Sequence, residues 1–155
     1  MFNHQPDDFS CPFCKLLAGH ESEHNRQDDI VFQNEFVTAS ISPKWWGINQ
    51  GHVLVIPNAH YENIYDTPDE IVAEVYKVVK KISIAIRSTY GCDGTSTRQH
   101  NEPAGNQDVW HLHVHVFPRY LGDRLYQNHD DKDFVSPELR APFAEKLRTF
   151  FAEND

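Results

Sequence analysis

The amino-acid sequence predicts an α+β fold, a mainly antiparallel five-stranded sheet with one long helix and a C-terminal helix. Three observations carry this expectation. Runs of β-branched and aromatic residues, punctuated by turn formers, fall on both sides of one long helical segment. That segment repeats apolar residues at intervals of three and four, and the run from Val109 to Arg119 instead alternates with a period of two.

In chain order, Ile30-Val31-Phe32 and the run from Phe36 through Ser40 to Ile41, joined by the turn-like Gln33-Asn34-Glu35, read as a hairpin. Residues 42–51, rich in Pro, Trp and Gly, read as a loop, and His52-Val53-Leu54-Val55-Ile56 as a short strand ended by Pro57. Thr67-Pro68-Asp69-Glu70 supplies an N-cap, a proline at the first helical position and a glutamate three after the cap. Ile71, Val72, Val75, Val78, Val79, Ile82 and Ile86 then form one buried stripe, and Gly91 stops the helix. A strand over residues 95–99 follows, then the alternating strand. Pro142, taken as a helix start, leads into Phe143, Leu147, Phe150 and Phe151 of a short amphipathic helix.

With 155 residues, 39% hydrophobic and 24% charged, the chain suits a single domain spanning 1–155. A net charge of −9 argues against bulk contact with nucleic acid or acidic membranes, which demand a basic face. Residues 1–10 are polar and no apolar run reaches membrane-spanning length, so the expected location is cytoplasmic. Cys11, Cys14 and Cys92 make no disulfide framework. The pair Cys11-Pro12-Phe13-Cys14 has the spacing of half a tetrahedral zinc site, of a redox dithiol, or of two plain thiols.

The alternating strand carries the chemistry. His111, His113 and His115 stand two apart, which places three imidazoles on one face and Trp110, Leu112, Val114 and Val116 on the other. Burying three imidazoles together costs free energy unless each is paired or used. Two uses remain open: a metal held by all three, or a nucleophile with helpers in group transfer. The nearby Gly105-Asn106-Gln107 loop, with backbone N–H donors, and Arg119, able to fork onto phosphate, favour phosphorus chemistry.

The motif His111-Leu112-His113-Val114-His115-Val116 with Pro118-Arg119 resembles the histidine-triad (HIT) family of nucleotide hydrolases and transferases. So do Gly51-His52-Val53-Leu54-Val55-Ile56-Pro57 followed by His60, and the Cys11-Pro12-Phe13-Cys14 pair. The resemblance runs over about residues 11–120, leaving 121–155 as a C-terminal extension. It implies that His113 attacks the α-phosphorus of a nucleotide conjugate, a nucleoside phosphoramidate or a dinucleoside polyphosphate, to form a covalent nucleotidyl-histidine. It implies that His115 and His52 hold non-bridging oxygens, and that Cys11, Cys14, His60 and His111 ligate a structural zinc. No organic cofactor is implied. The implied partners are a small nucleotide substrate and a second copy, a homodimer joined through the long helix and a sheet edge that extends the sheet.

Asn101 and Gln107 fit phosphate-side positions of the resemblance, and Phe32, Ser40 and Ile41 nucleoside-side positions. Two positions depart from it. Asp108 stands where relatives carry Ser or Thr, so it either turns away or, partly protonated by the repulsion of phosphate, serves as a general acid. Ser40 stands where relatives carry an Asp that grips the ribose. Trp45 and Trp46 either stack on a base or cover the core, and Arg98 and His100 are candidates for leaving-group contacts. The alternatives to a hydrolase are a nucleotide-binding module with little turnover, to which Ser40 and Asp108 point, and a metal-dependent hydrolase built on the three-histidine row.

Overall fold

The computed structural model describes residues 1–127 and 131–154. Its strands are β1 (Ile30–Gln33), β2 (Val37–Ile41), β3 (Lys44–Trp46), β4 (Val53–Pro57), β5 (Gly94–Gln99), β6 (Val114–Arg119) and β7 (Lys132–Phe134), and its helices α1 (Pro12–Leu17), α2 (Asp69–Thr89) and α3 (Pro137–Asn154). Five strands form one antiparallel sheet in the order β1-β2-β4-β6-β5, and β3 pairs with β7 in a separate ribbon. The α+β architecture is that expected, with the hairpin as β1 and β2 and a bulge between Ile30 and Phe32.

The pleat sorts side chains to two faces. Val37, Ala39, Ile41, Val53, Val55, Val114 and Val116 bury against α2, which supplies Val75, Val78, Val79, Ile82, Ala85 and Ile86. Each such Val or Ile contributes about 1.5–3 kcal/mol by leaving water. The opposite face carries Leu54 and Ile56 with Phe13 of α1, and Phe117 with Trp46 and Leu125.

Several local expectations are corrected. Residues 44–46 are strand rather than loop, because their alternation places Trp45 in the helix-side core and Trp46 against Phe117 on the other face. Strand β4 starts at Val53 rather than His52 and includes Pro57 as its last residue, opposite Val37 and beyond Val55, the last residue that β6 reaches. Thr67 does not cap α2: its hydroxyl donates to the Asn63 carbonyl at 2.8 Å, and Pro68 takes the cap position.

The C-terminal helix starts at Pro137 and runs 18 residues, with Pro142 inside it. Pro137 rather than Pro142 opens the first turn, and the Ser136 carbonyl accepts the early amides of Leu139 and Arg140. Ala144, Leu147 and Phe151 of α3 join the same core as α2. Arg140, fully buried, locks the helix to the body by forking onto Asp29, Nε to Oδ1 at 2.9 Å and Nη2 to Oδ2 at 2.8 Å. The expected histidine strand is shorter than the alternation implied: β6 begins at Val114, and His111 and His113 lie in the extended approach to it.

Candidate active site

Because β6 alternates, Val116 enters the helix-side core and His115 emerges on the opposite face, above Leu54 of β4, its register partner. His113 precedes it on the same side, with ring centroids 5.0 Å apart. Gly51 sets the approach of His52: its φ is +74°, and a Cβ there would meet the Phe143 ring at 2.3 Å. His52 is fully buried behind His115, stacked on Phe117 at 4.4 Å and 3.2 Å from His115 (Nε2 to Nδ1).

A cavity of about 220 Å³ opens in front of His113 and His115. Pro12, Phe13 and Leu54 form an apolar part of its wall, and Asp108, Lys44, Trp46, Lys132 and Phe134 another. Burial pushes every imidazole of the group below its usual pKa. For His113, the His111 carbonyl and Asp108 offset this only partly. His115 is driven further by its neighbours His113 and His52, and His52 falls to about 3, helped by Arg98 and His113.

Neutral rings have defined tautomers. Nδ1 of His113 lies 2.8 Å from the His111 carbonyl oxygen, which only accepts, so Nδ1 donates and Nε2 keeps its lone pair. Nδ1 of His52 is buried without a partner among the described residues. An orphaned lone pair is the less costly arrangement than an orphaned N–H, so Nε2–H of His52 donates to His115 and the His115 proton sits on Nε2. The pair thus offers one nucleophilic nitrogen and one donor.

The His111 ring belongs to a different cluster. Its Nδ1 lies 3.3 Å from Cys11 Sγ and 3.6 Å from Cys14 Sγ, and Nδ1 of His60 lies 3.2 Å from Cys14 Sγ. All four ligand atoms fall within 4.8 Å of one another. A zinc ion with ordinary Zn–S and Zn–N bonds spaces such atoms about 3.6 Å apart. The other ring nitrogens are anchored, Nε2 of His111 to the Pro57 carbonyl at 3.0 Å and Nε2 of His60 to Gln5 Oε1 at 2.8 Å, which aims both Nδ1 lone pairs at the centre. Burial and the Cys11 thiol push the Cys14 thiol up to about 11, so a Cys14 thiolate needs a cation beside it. The donor set therefore fits a closed tetrahedral metal site. A single metal held by all three histidines of the row does not fit, because both ring nitrogens of His111 are committed elsewhere, Nδ1 to the Cys11 and Cys14 cluster and Nε2 to the Pro57 carbonyl.

A sequence profile of the HIT domain matches residues 23–122. The chain belongs to the histidine-triad family. It is 35% identical over 135 residues to Protein hit of Bacillus subtilis, covering 84% of this chain and 88% of that one. It is 31% identical over 116 residues to an adenylylsulfatase of Arabidopsis thaliana, covering 75% of this chain and 55% of that one. Among solved structures, a zinc-bound histidine-triad family protein of Mycobacterium smegmatis superimposes with a TM-score of 0.75 at 28% identity, covering 93% and 94% of the two chains.

Within this histidine-triad site, several sequence assignments land elsewhere. Phe32 packs on Phe151 and Ile41 lies in the helix-side core, so neither lines the cavity. Ser40 is on the cavity face beside Leu54 but buried. Asn101 and Gln107 brace loops: Asn101 accepts from the Ile64 amide at 3.0 Å, and Gln107 donates to the Glu62 carbonyl at 2.6 Å. The amides of Gly105, Asn106 and Gln107 are spent on Glu102 and Pro103 carbonyls, not offered to an anion. Arg119 forks onto Asp123 at 2.6 and 2.7 Å, and Arg98 donates to the Leu125 carbonyl at 2.9 Å. His100 is bonded to the Gly105 carbonyl, 6.0 Å from the His115 ring.

Asp108 lines the cavity, 3.3 Å from Lys132 Nζ. Burial favours its protonated form, but the Lys132 ammonium, with Lys44 behind it, outweighs it and holds the carboxyl below its usual range. It is charged in the free protein, the opposite of what a general acid needs. Of the tryptophans, Trp45 covers the core against Phe143, and Trp46 reaches the site, 5.4 Å from His52 and 6.2 Å from His115. Lys44, Lys132 and Phe134 were not expected at the site, because only the long-range pairing of β3 with β7 brings them there.

Proposed function

We propose that the protein hydrolyses nucleotide conjugates, nucleoside phosphoramidates or dinucleoside polyphosphates, at the α-phosphorus through a covalent nucleotidyl-His113. The supporting observation is the fixed tautomer of His113, whose Nδ1–H is bound to the His111 carbonyl while Nε2 is left with its lone pair beside the cavity. Nε2 forms a bond to phosphorus as the bond from phosphorus to the leaving group breaks, and the leaving group departs with the electron pair and takes up a proton. Water then attacks phosphorus, gives up a proton, and releases His113 and the nucleoside monophosphate. His115 donates from Nε2 to a non-bridging oxygen, where charge builds up in the transition state. His52 touches His115 rather than the cavity and acts as a positioning residue. Asn101 and Gln107 hold the loops on the phosphate side, and Ser40 backs the nucleoside side; Asp108 enters as a carboxylate.

Cys11, Cys14, His60 and His111 are assigned to zinc, with support from their mutual spacing and from the zinc-bound relative. With four protein ligands this ion is structural and tethers α1 to the segment leading into β6. The reading also includes a cytoplasmic homodimer joined through α2 and edge strand β5. No helix among the described residues is long and apolar enough to cross a membrane.

Single-turnover mixing with an adenylate conjugate labelled at the α-phosphorus tests the mechanism. Label retained on denatured wild-type protein and absent from His113→Ala supports it. Nucleotide binding with no label on protein and no product identifies a binding module instead, the reading that Asp108 beside His113 favours.

A further inference from the structure

The ribbon of β3 and β7 brings two lysines to the cavity that the mechanism above does not use. Lys44 lies across from Phe134 and Lys132 across from Trp46 in the register of the ribbon. Lys132 Nζ sits 3.3 Å from Asp108 and 5.4 Å from the Trp46 ring, and Lys44 Nζ sits 4.8 Å from the Phe134 ring. The cavity wall thus holds two ammonium groups against one carboxylate, a local positive excess in a chain of net charge −9. Asp108 is the link: it lines the same cavity as His113 and is paired with Lys132. A neutral leaving group offers nothing to exchange for that pairing. An anionic one does.

We propose that Lys132 and Lys44 bind a second anionic group of the substrate, a phosphate or sulfate beyond the phosphoryl attacked by His113, and so set substrate preference. The anion takes the place of Asp108 at Lys132 and is shared with Lys44, while the apolar rings of Trp46 and Phe134 limit competing water. The proposal rests on the reading of the site as a nucleotide site, and its test is chosen to be independent of turnover.

Calorimetric titration compares ADP, AMP and AMP carrying an additional ribose 3′-phosphate on wild type, Lys132→Gln, Lys44→Gln and Lys132→Arg. Wild type is expected to bind ADP about 10-fold more tightly than AMP, the scale of one charge-assisted contact. Lys132→Gln should abolish most of that preference, Lys44→Gln part of it, and Lys132→Arg should retain it. An equal gain from the ribose phosphate, lost in the same variants, places the second anion on the nucleoside side; a gain for ADP alone places it on the leaving-group side. A preference for ADP that survives both glutamine substitutions, or is absent from wild type, overturns the proposal. Failure to label His113 with intact ADP preference sinks only the hydrolase reading. Among active proteins, the ratio of kcat/KM for a dinucleoside triphosphate over adenosine phosphoramidate should fall in step with the binding preference.

Discussion

Nδ1 of His113 donates to the carbonyl oxygen of His111, while the ring of the same His111 faces Cys11, Cys14 and His60. On the proposed reading one residue therefore serves two centres, the Cys11, Cys14 and His60 cluster with its imidazole and the proposed nucleophile His113 with its backbone. Any disorder of the first must reach the second within a single peptide.

Metal removal is accordingly expected to cost both stability and chemistry. Untagged protein should contain about one equivalent of zinc. A metal present 1,000-fold above its dissociation constant contributes about 4 kcal/mol, so stripping it should lower Tm by roughly 10 °C in a chain of this size. The same chelated sample, or Cys14→Ala, should also lose His113 labelling. A sample that melts earlier yet labels normally would separate the two centres.

Acid should destabilise the protein beginning near neutrality. His52 and His115 are neutral in the fold, with pKa values depressed by burial, and titrate at their ordinary value once unfolded. Below about pH 6.5 the unfolded chain binds protons that the folded chain refuses, so stability is full above that value and falls with pH toward the folded pKa values. Urea midpoints measured from pH 7.5 to 5 should decline, and His52→Asn should flatten the decline. A midpoint independent of pH over this range contradicts the buried neutral pair.

The Asp29 to Arg140 fork predicts an asymmetry between breaking and replacing a buried pair. Asp29→Ala leaves a guanidinium buried without its counter-charge and should cost about 3–5 kcal/mol in urea unfolding. Asp29→Leu combined with Arg140→Met should cost less than Asp29→Ala alone, because no uncompensated charge remains. Equal losses would mean that the carbonyl contacts of Arg140 to His24 and Val135 dominate.

Gly51→Ala combines an unfavourable left-handed backbone with a collision against Phe143, and should cost at least about 2 kcal/mol. Phe143→Leu in the same chain should recover part of that loss. The next residue is His52, so the single variant should also reduce turnover more than its loss of folded protein explains.

Much of this was legible because periodicity is a local signal. The stripe from Val75 to Ile86 specified α2, and the alternation of His113, His115 and Phe117 with Val114 and Val116 specified which side chains leave the core. The Cys11 and Cys14 pair and the two histidines that join it were carried by family resemblance, and the geometry brings them together. Long-range pairing was not legible. Lys44 and Lys132 are each unremarkable in sequence and meet only through a three-residue ribbon. The partners of Arg119 and Asp108 were hidden for the same reason, since Asp123 and Lys132 meet them only in the folded chain. Pro142 misled because proline is favoured in a first turn, whereas here it lies in the second turn of α3, where it has no N–H to give the carbonyl four residues back.

The HIT-domain match ends at residue 122, and Lys132 and Phe134 lie past it. The cavity wall thus draws on residues inside and outside that match, Lys44 and Trp46 within it and Pro12, Phe13, Lys132 and Phe134 on either side. A substitution at Lys132 or Phe134 would therefore reshape the cavity wall without altering either imidazole that lines it.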